Sequence, residues 1–108
     1  MQNGDVNALI KHSGLLVVAT WEAAEGQAEN VANILREFLP QAQREDGVNL
    51  FLIGRGKDDA NRFLFYELFA NEAAFAAHQT GEYFKRLIVG QALPLLAKRE
   101  RAQYALLQ

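Results

Sequence analysis

The sequence predicts an α+β sandwich of ferredoxin-like pattern, an antiparallel four-stranded sheet with helices on one face. Three observations carry this expectation. Segments rich in branched and aromatic residues alternate with segments of helical period, in the order strand, helix, strand, strand, helix pair, strand. The chain has 108 residues, 50% of them hydrophobic and 22% charged, which suits one folded domain. No internal repeat or linker divides it.

The opening MQNGDVNALIKH is polar apart from Val6, Ala8, Leu9 and Ile10. It reads as a flexible N-terminal arm of residues 1–13, ahead of a single domain of residues 14–108, with His12 exposed and idle in the arm. GLLVVATW, from Gly14 to Trp21, is rich enough in branched aliphatics to form a strand. From Gly26 the period changes: Ala28, Val31, Leu35, Phe38, Leu39 and Ala42 recur at steps of three and four, the stripe of a half-buried helix. Pro40 falls inside that stripe, where it cannot donate to the carbonyl of Arg36, so a kink or division is expected there, with Gly47 as the C-terminal cap.

VNLFLIGRG then reads as a strand and NRFLFYELFA as its antiparallel partner. The intervening GRGKDD matches no phosphate-loop spacing and reads as a hairpin turn. Asn71 caps a short helix running to about Gln79, Glu72 complements its dipole, and Gly81 ends it. A further helix carries Phe84, Leu87, Ile88, Ala92, Leu95 and Leu96 on one stripe, with a bend expected around Gly90 and Pro94. RAQYALL closes the chain as a strand with Ala102, Tyr104 and Leu106 on one face.

In such a sandwich the sheet face away from the helices is ordinarily wet, and its strands alternate apolar with polar. These strands do not. Leu15, Val17, Ala19 and Trp21 share one face, yet Leu16 and Val18 occupy the other; Leu50 and Leu52 oppose Phe51 and Ile53, and Leu64, Tyr66 and Leu68 oppose Phe63, Phe65 and Phe69. Leaving that second face in water costs on the order of 5–10 kcal/mol, comparable with a domain's whole stability. A homodimer pairing sheet face to sheet face is the expected solution.

Composition excludes several function classes. The net charge of −2, with acids and bases interspersed, offers no basic stripe for nucleic acid. The absence of cysteine removes disulfides, thiolate metal sites and a cysteine nucleophile, and two histidines make no metal cluster, so no metal is expected. The longest apolar run, LLVVA, is too short for a membrane span, and the N-terminus lacks a signal-peptide pattern, so a cytoplasmic protein is expected.

Glu67 is the one charged residue inside the third strand, on the face of Phe63, Phe65 and Phe69, and a carboxylate there needs a partner. His78 shares the helical stripe of Ala74 and Phe75 and points toward the same gap between helix and sheet. A glutamate beside a histidine fixes its tautomer and poises it as a general base near neutral pH. The plain alternative pairs Glu67 with Arg62 or Arg86 and His78 with a backbone carbonyl. Trp21, Phe51, Phe65, Tyr66, Phe69, Phe75, Tyr83 and Phe84 are available as aromatic walls of a substrate site, or as plain core.

The run NRFLFYELFANEAAFAAHQTGEYF sets a strand glutamate, a short helix, a histidine and an aromatic six residues later. It resembles the antibiotic biosynthesis monooxygenase family, with Glu67, His78 and Phe84 matching that pattern. QREDGVNLF is similar to the family's helix-to-strand junction: Gly47 matches its glycine, and Asp46 and Val48 replace the usual proline and cysteine. The resemblance covers roughly residues 15–107 and is greatest to small quinol monooxygenases and autoinducer-2 degrading proteins. It implies a dimeric α+β barrel and an oxidoreductase that uses neither metal nor flavin, in which His78 takes a proton from a quinol-like or polycyclic aromatic substrate and the resulting anion reacts with oxygen. Tyr83 stands where relatives often have a second histidine. Haem-degrading relatives carry a first-strand asparagine and a histidine ligand where this chain has Ile88, which disfavours haem oxygenation. Two alternatives accompany the resemblance: an isomerase moving a proton on a phosphorylated sugar ketone, with Arg55, Lys57 and Lys85 available to the phosphate, and a non-catalytic dimeric ligand-binding module.

Overall fold

The first strand, β1 (Leu15–Ala23), is apolar enough to lie inside the sheet rather than at its edge, and a computed structural model describing residues 3–107, with side chains from Val6, places it there. It pairs antiparallel with β3 (Arg62–Phe69) on one side and β4 (Leu96–Tyr104) on the other, and β2 (Val48–Arg55) flanks β3. The order β2-β3-β1-β4 is that of a ferredoxin-like sheet, and the fold is the α+β sandwich that the element pattern predicts.

Three helical segments cover one face. The helix α2 (Ala28–Gln43) buries Val31, Ala32, Leu35, Phe38 and Ala42, the predicted stripe. It runs through Pro40 undivided, because Phe38 and Ala42 pack on either side of the proline and outweigh one lost backbone hydrogen bond. It ends at Arg44, and Gly47 lies three residues further on, in the turn into β2, with φ +82°. The helix α3 (Glu72–Thr80) begins and ends at the predicted Asn71 and Gly81. Phe84–Ala92 then forms a wide π-helix, succeeded at Leu93–Leu95 by a 3₁₀ turn. The change of pitch falls beside Pro94, which has no N–H to continue the helix.

Two segments differ from the sequence expectation. The stretch read as an arm contains a helix, α1 (Asn3–Lys11), and its exit is tied down: Asn49 donates to the His12 carbonyl and to Ser13 Oγ, each at 3.0 Å. His12 itself is exposed. The last strand starts at Leu96 rather than near Arg101, so Leu95 and Leu96 belong to the turn and the strand, not to a helical stripe, and Leu106 lies beyond the strand. The charged run KRER is extended because the free edge of β1 binds its backbone while its side chains stay largely in solvent.

The helix-covered face holds Val17, Phe65, Phe69 and their neighbours in one buried cluster. Across the opposite face the register aligns the rows Leu50–Leu68–Leu16–Tyr104 and Leu52–Tyr66–Val18–Ala102. Both rows are apolar across all four strands, and in the single chain Leu52 and Tyr104 remain 52% and 51% exposed. No helix among the described residues is long and apolar enough to cross a membrane.

Candidate functional site

The short helix α3 positions the histidine. Asn71 Oδ1 accepts from the backbone N–H of Ala74 at 2.8 Å and fixes where the helix begins, so Phe75 and His78 face inward. His78 is 3% exposed. Its ring lies 5.3 Å from Phe51, 5.4 Å from Phe69, 5.3 Å from Phe84 and 5.7 Å from Phe38, centroid to centroid. Four phenyl rings thus hold the imidazole by packing alone, and its two nitrogens must find partners in the gaps between them.

Nδ1 finds Glu45, whose Oε1 lies 2.8 Å away. Glu45 comes from the turn between α2 and β2, and Gly47 brings that turn close: a Cβ at Gly47 would fall 2.5 Å from the Cβ of Ala74 on α3. The φ of +82° at Gly47 is likewise one that a side chain resists. With a carboxylate as acceptor, Nδ1 carries the hydrogen and donates, leaving the lone pair on Nε2. Glu67 Oε1 lies 4.0 Å from Nε2, too far for a hydrogen bond and close enough for one bridging atom.

The surroundings set the charge of both groups. Glu67 is 6% exposed, and burial pushes its carboxyl up to about 8, with Arg101 opposing the rise and Glu45 adding to it. Burial also pushes the imidazole of His78 down, against the hydrogen bond and charge of Glu45. Near pH 7 the pair is therefore a neutral imidazole facing a predominantly protonated carboxyl.

Both open onto a small cavity of about 30 Å³, room for one or two waters. Of the residues singled out in the sequence, Trp21, Phe51, Phe65, Phe75 and Phe84 line it together with Glu67 and His78. Phe69 packs behind the imidazole and does not reach the cavity. Tyr83 turns outward, exposed beneath Arg86, whose guanidinium carbon lies 5.6 Å from its ring centroid, and forms no wall. The plain pairings for Glu67 and His78 are not formed: Arg86 meets Glu37 at 3.5 Å, and His78 uses a carboxylate rather than a carbonyl. Arg55, Lys57 and Lys85 all lie off this cavity, Arg55 pairing with Glu29 at 2.7 Å.

Sequence reasoning missed Glu45, Phe38, Ala19, Arg99 and Arg101 as parts of the site. The two arginines were legible in principle, since Arg99, Arg101 and Gln103 alternate as one face of a strand. Nothing local marks Glu45, whose partner is 33 residues away.

A ferredoxin-like sandwich with a buried histidine and glutamate beside an aromatic cavity defines the class of domain. Within it, residues 14–89 match the model of the antibiotic biosynthesis monooxygenase family, and the chain belongs to that family. Among solved structures, one from Pseudomonas aeruginosa is similar at 27% identity and a TM-score of 0.83, over 89% of this chain and 96% of that one. A Nitrosomonas europaea protein provisionally named an antibiotic biosynthesis monooxygenase shares the fold at 22% identity and a TM-score of 0.82, over 87% and 99% of the two chains. A Methanosarcina mazei protein shares it at 15% identity and a TM-score of 0.81, over 91% and 97%. No curated protein sequence is similar enough to count as a match.

Proposed function

We propose that the protein is a monooxygenase that oxidises a small quinol-like or polycyclic aromatic compound with molecular oxygen, using His78 as base and no cofactor. The observation that carries this reading is the buried imidazole: Nδ1 is held by Glu45 at 2.8 Å, and Nε2 is left beside an aromatic-lined cavity. Membership in the family points to the same chemistry. A phenolic or quinol hydroxyl in the cavity gives its proton to Nε2, and the electron-rich anion reacts directly with oxygen. For a methylene flanked by aromatic rings, one oxygen atom becomes the new carbonyl, and the other leaves as water with the two hydrogens of the methylene. The protonated carboxyl of Glu67, 4.0 Å from Nε2, supplies a proton to the reduced oxygen and recovers one from His78.

The test is oxygen uptake with a panel of quinols and anthrones. On an accepted substrate, His78→Ala should lower kcat by about 10²–10⁴-fold, the usual worth of a positioned base. Full turnover by that variant would remove His78 from the mechanism. The same reading includes a homodimer formed through the apolar sheet face, which supports the cavity wall from behind.

A further inference from the structure

The two arginines of β4 are not used by the mechanism above, although they stand at its door. The register sets Arg101 opposite Ala19 and Arg99 opposite Trp21, on the sheet face that carries Glu67, and both line the His78 cavity. Ala19, one of the two alanines on that β1 face, is the register partner of Arg101 and lines the cavity with it. The guanidinium carbon of Arg101 lies over Phe75, 5.2 Å from its ring centroid.

Neither arginine has a carboxylate partner among the described residues. The ion pairs there engage Arg55, Arg86 and Lys98 among the long basic side chains. Two like charges two residues apart on one strand face repel, and partial burial followed by the charge of Arg101 holds the Arg99 guanidinium below its ordinary value. The acid nearest to them in the cavity, Glu67, is predominantly protonated near pH 7 and does not balance them. The cavity thus has an aromatic inner end and a doubly cationic mouth whose planar forks match a carboxylate.

Building on the monooxygenase reading, we infer that the substrate is an aromatic carboxylate: its ring enters the aromatic cavity beside His78, while Arg99 and Arg101 bind its carboxylate at the mouth. The same contact serves the chemistry. An anion on Arg101 cancels the charge that opposes protonation of Glu67, so the bound state holds the Glu67 proton more firmly than the free one.

The test is anaerobic binding, read by calorimetry and by the fluorescence of Trp21, the single tryptophan, with 1,4-dihydroxy-2-naphthoate and 1,4-dihydroxynaphthalene as probes. The carboxylate probe should bind about tenfold more tightly than the neutral one at low salt, with the advantage shrinking as salt rises. In Arg99→Gln/Arg101→Gln that advantage should fall below about threefold, and Arg99→Lys/Arg101→Lys should restore part of it. Equal binding of the two probes by the unaltered protein, or a carboxylate advantage that survives the glutamine substitutions, overturns the inference. If the doubly substituted protein does not fold, the single variants and the salt dependence decide in the same way. Because binding is read without oxygen, a failure of oxygen uptake leaves this result standing. Conversely, turnover of neutral quinols with no carboxylate preference overturns the arginine assignment and leaves the monooxygenase reading intact.

Discussion

Burying Glu67 has a cost that depends on pH. Its folded-state value of about 8 lies above the ordinary 4.5, so between those values the folded chain holds a proton that the unfolded chain has released. The sign follows directly: the stability associated with this group is complete below pH 4.5 and is lost as pH rises through 8. The loss is on the order of 3–5 kcal/mol at most. Glutamine holds no titrating proton, so Glu67→Gln should remove this decline, and urea unfolding at pH 5 and pH 9 measures it. A variant whose stability falls with pH as steeply as the parent's would show that Glu67 ionises freely in the fold. His78 acts in the opposite sense, since its lowered value withdraws stability as pH falls through it. Glu67 and His78 were legible because a charge within a run of phenylalanines and a histidine on a buried stripe both break a local pattern. Glu45 breaks none, sitting in a polar turn where acids are ordinary.

At the level of elements, the α2–β2 turn does more than connect. Its left-handed glycine seats Glu45 against α3, and an alanine there meets both an unfavourable φ and the side chain of Ala74. Gly47→Ala should therefore cost about 1–3 kcal/mol of stability. It should also loosen the hydrogen bond from His78 to Glu45, visible as a shift of the imidazole NMR signals. A variant with unchanged melting temperature and unchanged imidazole signals would show that the turn relaxes freely. The helix α3 was fully legible, since a cap, a stripe and a terminating glycine agree on its bounds. β4 was legible only at its end, because KRER has the composition of a solvated surface and its extended form is decided by pairing with β1. That one boundary left Arg99 outside the expected strand and Arg101 at its very start, so their shared face went unread. α2 shows the same priority of packing over local preference, with Pro40 accommodated one turn before the helix ends.

For the whole molecule, the alternation of apolar residues on both sheet faces was legible in full, and the register converts it into two apolar rows spanning all four strands. Within the single chain Leu68 is already buried, whereas Leu52 and Tyr104 stay about half exposed, and the proposed dimer is what would cover them. With a two-fold contact between the faces, sedimentation at micromolar concentration should give twice the chain mass of 12.1 kDa. Leu52→Lys/Leu64→Lys should give the single mass, with reduced stability. A parent protein that sediments as a single chain would remove the dimer from the proposed function.

The chamber beside the imidazole is too tight, in the resting chain, for any ring system. A guest ring must therefore shift part of the aromatic wall, and Phe84, at the start of the π-helix, is the one lining aromatic that is not fully buried. In the proposed reaction, bulk at the doorway, as much as acidity of the hydroxyl, should govern which compounds turn over quickly.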